Sequence, residues 1–170
     1  NADDYYGSHA FTKIYEHLVN AKDGEYAMLA YQVKNTVSQN GTVTRGVCKV
    51  KDGYLEEIEE VLNIDSKFNC VYQGKQTQLD GDTPVSMNLW ALTPDFFAQL
   101  EKYYKEFLAN ANLLKDEFYV PVTVGKVVDA KQATVKVYIN EDKWEGITYR
   151  EDLPGLKKAI KGYIDSGLYK

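Results

Sequence analysis

The sequence predicts a mixed α/β domain with an inserted antiparallel subsheet. Three observations predict it. The nearly unbroken apolar run "EYAMLAYQV" at 25–33 has the character of a strand covered on both faces. Short strand-like runs broken by glycine turns fill 45–60 and 70–79. Apolar residues at helical spacing precede the first run and follow the last.

The elements follow in order. Ser8 suits an N-cap, and Phe11, Ile14, Tyr15 and Leu18 at helical spacing predict a helix over 8–20. The strand 25–33 leads into "NTVSQNGTVT" (35–44), a polar loop with a hairpin-like Asn40-Gly41 step. "RGVCKVKDGYLEEIEE" (45–60) reads as two short strands around the turn Lys51-Asp52-Gly53. "CVYQGKQTQL" (70–79) reads as a second hairpin turning at Gly74, and "PVSMNLWAL" (84–92) as a buried strand. Thr93-Pro94-Asp95 begins the clearest helix, with Thr93 as cap and Pro94 at the first helical position. Phe97, Leu100, Tyr104, Phe107 and Leu108 form its expected apolar face. "EFYVPVTVGKVV" (117–128) fits a strand by β-branching and a helix by spacing, while "ATVKVYI" (133–139) alternates like a strand. Asp152-Leu153-Pro154 opens a last helix, with Leu156, Ala159, Ile160 and Tyr163 inward.

Composition narrows the function classes. The 170 residues suffice for one domain with a core. A net charge of −5 argues against a nucleic-acid surface, which needs cations to displace counterions, and disfavours an anionic membrane. No apolar run approaches the roughly 18 residues of a membrane span. No charged leader with an apolar core precedes residue 1, so a signal peptide is expected to be absent or already removed, and the expected compartment is the cytoplasm. Cys48 and Cys70 read as small buried hydrophobes, not as a disulfide framework. The sequon Asn40-Gly41-Thr42 matters only in a secreted chain. The 14 tyrosines suit half-buried strands, helix faces and carbohydrate clefts alike.

Few residues invite chemistry. Asp3 and Asp4 either offer hard oxygen ligands to a divalent ion at a strand end, or, with Ser8, satisfy loose backbone donors before a helix. Gly46, between Arg45 and Val47, either lets a ligand approach the backbone or marks a bulge. Glu59 and Glu60 point to opposite faces, so one could accept hydroxyl hydrogen bonds or the pair could be a solvated strand end. Asn88, inside "VSMNLW", is either structural glue or a ligand-facing amide. His9 and His17 cannot pair on one helix turn. There is no zinc-type cluster, nucleophile elbow or glycine-rich phosphate loop.

Read in order, these segments resemble the later part of the catalytic domain of the sugar-phosphate nucleotidyltransferases, the sugar-nucleotide pyrophosphorylase family. "NADDYYG" resembles that family's "GDN…FYG" or "NADDFYG" motif. "TRGVCKVKDGYLEEIEE" resembles "YGVVEFDKDGKALSIEEKP", and "VSMNLWALTPDFF" resembles "NTGIYVFTPEFF". "DEFYVPVTVGKVV" resembles the acidic helix that follows, and "KWEGITYREDL" resembles "WFDIGTPEDL". The order and gaps agree across nearly all of the chain. The resemblance implies a nucleotide-diphospho-sugar transferase-like, Rossmann-like mixed sheet with inserted hairpins. Residues 1–170 would be its sugar-binding portion, lacking the N-terminal nucleotide-binding part.

The implied reaction is nucleotidyl transfer from a nucleoside triphosphate to a sugar 1-phosphate, giving a nucleotide sugar and pyrophosphate. The isolated segment is expected to be inactive. Carried over by position, Asp3 is the catalytic magnesium ligand, Gly46 meets the sugar through its backbone, Glu60 binds its hydroxyls and Asn88 lines the same pocket. The implied partners are a sugar phosphate, a nucleoside triphosphate, and either a second copy of the chain or the missing N-terminal half. Two positions depart from the family pattern. Val61 stands where a phosphate-holding lysine is expected, and Gly146 where a second magnesium carboxylate is expected; Glu145 beside it would face the other way. These departures support the alternative, a non-catalytic binding or structural module on the same fold. A truncated sheet is also expected to leave apolar strand surface and one edge bare.

Overall fold

A computed structural model describes residue 1 and residues 4–169. The chain order is α1 (Ala10–Leu18), β1 (Glu25–Gln32), β2 (Val43–Lys51), β3 (Tyr54–Ile64), β4 (Asn69–Tyr72), β5 (Lys75–Gln78), β6 (Pro84–Ala91), α2 (Phe96–Asn110), α3 (Val120–Asp129), β7 (Thr134–Asn140) and α4 (Leu153–Asp165). The segment that fits either state, 117–128, holds the helix α3. It opens after Tyr119, with Pro121 in its first turn where a proline needs no amide partner.

β1 organises the packing because both of its faces are covered. Ala27, Leu29 and Tyr31 join Ala10 and Ile14 of α1 in one apolar cluster. Tyr26, Met28 and Ala30 join Phe96 and Tyr103 of α2 and Val124 and Val127 of α3 in the other. Period-two alternation therefore feeds two layers of helix from one strand.

Five strands close into a ring in the order β1-β6-β2-β3-β7, and β4 and β5 form a separate hairpin. β1 runs parallel to β7 and antiparallel to β6. This ring corrects the expected open, Rossmann-like sheet with a bare edge. It closes where Tyr54 pairs with Lys136, and the Val137 amide donates to the Gly53 carbonyl at 2.9 Å. The closing contact lies far apart in sequence, so no local pattern announces it.

Three local expectations also shift. Ser8 does not cap α1; its hydroxyl meets His9 Nδ1, and the helix starts at Ala10. The Asn40-Gly41 step joins no hairpin, because β6 lies between β1 and β2. Thr93 and Pro94 form a tight turn, with the Phe96 amide on the Thr93 carbonyl, and α2 begins only at Phe96. The inward face of α2 is consequently set by Phe96 and Tyr103, leaving Phe97 74% exposed. Tyr26 fixes that choice: its ring meets Phe96 edge-on, and its hydroxyl donates to Asp95 at 2.7 Å. In α4 the expected inward residues Leu156, Ala159, Ile160 and Tyr163 are half-buried.

Cys48 and Cys70 are buried free thiols, and burial pushes the Cys48 thiol up to about 12. Among the described residues, no helix is long and apolar enough to cross a membrane.

The turn Asp52-Gly53, with φ values of +52° and +80°, joins β2 to β3 beside the ring closure. A Cβ at residue 53 would stand 2.8 Å from Lys136 Nζ as well as in a strained conformation. Gly53→Ala is expected to lower stability by about 1–2 kcal/mol, measured by urea unfolding.

Candidate functional site

The register of β2 assembles the site. β2 meets β6 at two residue pairs, Gly46–Ser86 and Val47–Val85, and Gly46 also pairs with Glu60 of β3. Directly opposed residues share a face, so Ser86, Gly46 and Glu60 form a row across three strands. That row floors a cleft of about 820 Å³, within the range of small-molecule sites. Asp4, Asn88, Trp90, Lys126 and Trp144 also line it, together with the start of α3. A side chain at residue 46 would bring its Cβ to 3.0 Å from Ile58 Cδ1 and 3.4 Å from the Ser86 Cβ. Glycine keeps this floor low.

Three residues singled out from the sequence, Gly46, Glu60 and Asn88, share this cleft. Asp3 lies outside the described residues; its neighbour Asp4 lines the cleft. Val61, next to Glu60, turns the other way and is 1% exposed in the core, so it presents nothing to a ligand.

Asn88 corrects an expectation, for it is exposed instead of buried. Met28 opposes Trp90 and Ala30 opposes Ser86, so residues 87–89 of β6 stand against Leu29 alone. This bulge carries Asn88 at φ +62°, a left-handed conformation that asparagine tolerates better than most residues. The Asn88 amide donates to Ser86 Oγ at 3.2 Å, which holds the bulge in place.

Sequence reasoning passed over Arg45. Its Nη1 donates to the Thr44 carbonyl at 2.8 Å and its Nη2 to the Thr36 carbonyl, while its guanidinium lies 5.1 Å from the centre of the Trp144 ring. Burial lowers its pKa to about 10, with Asp4 pulling weakly in the opposite direction. Its Nε–H is buried without an acceptor, as are the indole N–H groups of Trp90 and Trp144. A rarity signal could have found these residues. Only two of the twenty basic residues are arginines, and the chain's two tryptophans, Trp90 and Trp144, both line this one cleft.

Asp4 Oδ2 lies 2.8 Å from Asn1 Nδ2 and 3.2 Å from the Tyr6 hydroxyl, which also donates to the Met87 carbonyl at 3.0 Å. A Cβ built at residue 146 would stand 2.9 Å from Asp4 Oδ1, so the expected position of a second carboxylate is beside Asp4. The same Cβ would stand 2.2 Å from Trp144 Cζ2, so the indole fills the room a side chain would need. Glu145 is turned away from the main cleft. It is 7% exposed, meets Lys143 at 3.2 Å and accepts from the Tyr163 hydroxyl at 3.1 Å. Among the described residues, no three His, Cys, Asp or Glu side chains are grouped to hold a metal.

No protein-family model and no curated protein matches the sequence. Among solved structures, the inositol-1-phosphate CTP transferase from T. maritima is similar, with a TM-score of 0.50 at 12% identity. The likeness is one of fold. The alignment covers 94% of this chain and 53% of that one, so the chain spans about half the length of the transferase it matches.

A smaller cavity of about 250 Å³ lies on the other side of Trp144, between the 35–40 loop and the start of α4. Asp152 ties the loop down. It accepts from Ser38 Oγ at 2.8 Å, Asn40 Nδ2 at 2.7 Å and the Tyr149 amide at 2.9 Å. Burial alone would raise its pKa, but donation from Asn40, the Tyr149 amide and Ser38 outweighs burial and holds the carboxyl below its ordinary value. Because the folded value is depressed, this contribution is complete above the unfolded carboxylate pKa of about 3.9. It is lost as pH falls through the folded value. Asp152→Asn is therefore expected to destabilise the protein at pH 7 and to narrow its stability advantage over the variant below about pH 4, measured by thermal melts across pH. Gly146→Asp is expected to displace Trp144 and cost about 1–3 kcal/mol, read from intrinsic fluorescence and urea unfolding.

Proposed function

We propose that this chain is the acceptor-binding portion of a nucleotidyltransferase, which joins a nucleotidyl group from a nucleoside triphosphate to a sugar 1-phosphate or similar alcohol phosphate. The observation that carries the reading is the convergence of Gly46, Glu60 and Asn88 in one cleft with Asp4 at its end. Glu60 and Asn88 offer acceptors and a donor of the kind that hydroxyls require, and the low floor at Gly46 admits a ring close to the backbone. The nucleotidyltransferase-like fold supports the same reading. Nucleotidyl transfer depends chiefly on holding two substrates together and neutralising phosphate charge. Magnesium belongs to the proposal as well, with Asp3 its expected ligand and Asp4 the carboxylate beside it. Magnesium commonly takes one or two carboxylates and completes its shell with water and substrate phosphate oxygens, and its contribution would be charge neutralisation. A cytoplasmic location follows from such substrates.

One observation favours a second reading, a non-catalytic binding module. The room at residue 146 is taken by Trp144, so the second carboxylate cannot be supplied there. Pyrophosphate release by the complete gene product, given magnesium, CTP and other triphosphates, and a panel of sugar and inositol phosphates, separates the two. Release establishes the transferase; binding without release establishes the module.

The acceptor site is testable on the chain itself. Because both tryptophans line the cleft, their fluorescence reports occupancy. Titration with glucose 1-phosphate and myo-inositol 1-phosphate is expected to give saturable binding. Glu60→Gln and Asn88→Gly, the latter keeping the left-handed backbone unstrained, should each weaken it about tenfold without lowering the melting temperature. Unchanged affinity in both variants would remove the cleft from the acceptor role.

A further inference from the structure

Among the described residues, two basic side chains line the cleft, Arg45 and Lys126, and they differ in their surroundings. Lys126 is exposed and rests over the Tyr103 ring at 5.0 Å. Arg45 is half-buried, and no carboxylate of the described residues comes within the 4.0 Å of an ion pair. Two backbone carbonyls and the face of Trp144 hold its guanidinium instead. Neutral carbonyls orient a cation without cancelling its charge. A desolvated guanidinium fixed in this way retains the full attraction for an anion that enters the cleft, at a local dielectric far below that of water.

The geometry points to Arg45 as the phosphate anchor of the cleft, gripping the monoester of the acceptor while Glu60 and Asn88 address its hydroxyls. This assignment rests on the acceptor-binding reading above and adds the group that recognises the phosphate. Four features support it. The guanidinium presents planar, forked donors that match phosphate oxygens, whereas an ammonium is a point charge. Stacking on Trp144 restricts rotation, so less entropy is lost when the ligand binds. The carbonyl of Thr36 belongs to the loop that Asp152 ties down through Ser38, so the acceptor that orients the guanidinium is itself held in place. Finally, Arg45 pairs with Val61 across β2 and β3, so it leaves its strand on the core side and reaches the cleft beside Trp144, where the buried, apolar Val61 supplies no competing cation.

Arg45 and Arg150 are the chain's only arginines, which allows a direct test on the unmodified protein. In the side-chain NMR spectrum of chain labelled with ¹⁵N-arginine, inorganic phosphate and glucose 1-phosphate should each shift one Nε resonance, and glucose should not. The shifting signal should be the one that survives in Arg150→Lys. Arg45→Gln should reduce affinity for glucose 1-phosphate about tenfold or more, and Arg45→Lys should recover part of the loss. An Arg45 signal that stays still while tryptophan fluorescence reports glucose 1-phosphate binding sensitive to Glu60→Gln overturns the anchor and leaves the acceptor site standing. Equal Arg45 shifts with glucuronate and with glucose 1-phosphate overturn phosphate as the recognised group. Silence of both Arg45 and the tryptophans toward all these probes overturns the anchor and the acceptor site together.

Discussion

The structure depends on a seam of two residue pairs. β2 joins β6 only through Gly46–Ser86 and Val47–Val85, and this seam links the β2–β3 hairpin to the strand that pairs with β1. The hydrogen bonds that keep the sheet continuous are therefore the floor of the cleft. Val47 and Val85 stand on the core side of the seam, at 2% and 0% exposure, while Gly46 and Ser86 stand on the other. A glycine read from sequence as either bulge or close approach turns out to serve packing and access together. Its flat surface lets Ile58 and Ser86 close in around it, and it leaves the backbone reachable from the cleft.

Most elements were legible because their signals are local. The apolar run of β1, the turns at Gly53 and Gly74, and the inward side of α4 follow from periodicity and turn chemistry within a few residues. What failed depended on distant partners. The face of α2 was misjudged by one residue, since Tyr26, seventy positions away, selects Phe96 over Phe97. Ring closure between Tyr54 and Lys136 is equally invisible to any window of sequence. At the site, resemblance brought Gly46, Glu60 and Asn88 forward and the cleft contains all three, but the environment expected for Asn88 was wrong. A polar residue inside an apolar strand suggested burial. The bulge that frees Asn88 shows only in the register of β6 against β1.

Arg45 escaped notice for a different reason. On a strand written "VTRGV" an arginine looks like an outward-facing charge, the ordinary state of that residue. Its half-buried setting arises from contacts with Thr36 and Trp144, which lie 9 positions before it on one side and nearly a hundred after it on the other. No short motif encodes a guanidinium clamped between a loop carbonyl and an indole.

Gly146 and Arg45 are best understood together. A carboxylate at residue 146 would lie beside Asp4 and add negative charge at the end of the cleft where Arg45 already feels Asp4. Two carboxylates there would favour a divalent cation between them and would compete with a phosphate for the guanidinium. With glycine at 146, the Trp144 ring occupies that space and offers Arg45 a π face, which attracts the cation without neutralising it. An indole in the room that a side chain at residue 146 would need thus leaves the guanidinium beside a π face instead of a second acid. In a chain of net charge −5, such a group is a local exception, and its worth to an entering oxyanion comes from the absence, among the described residues, of a carboxylate close enough to satisfy it first.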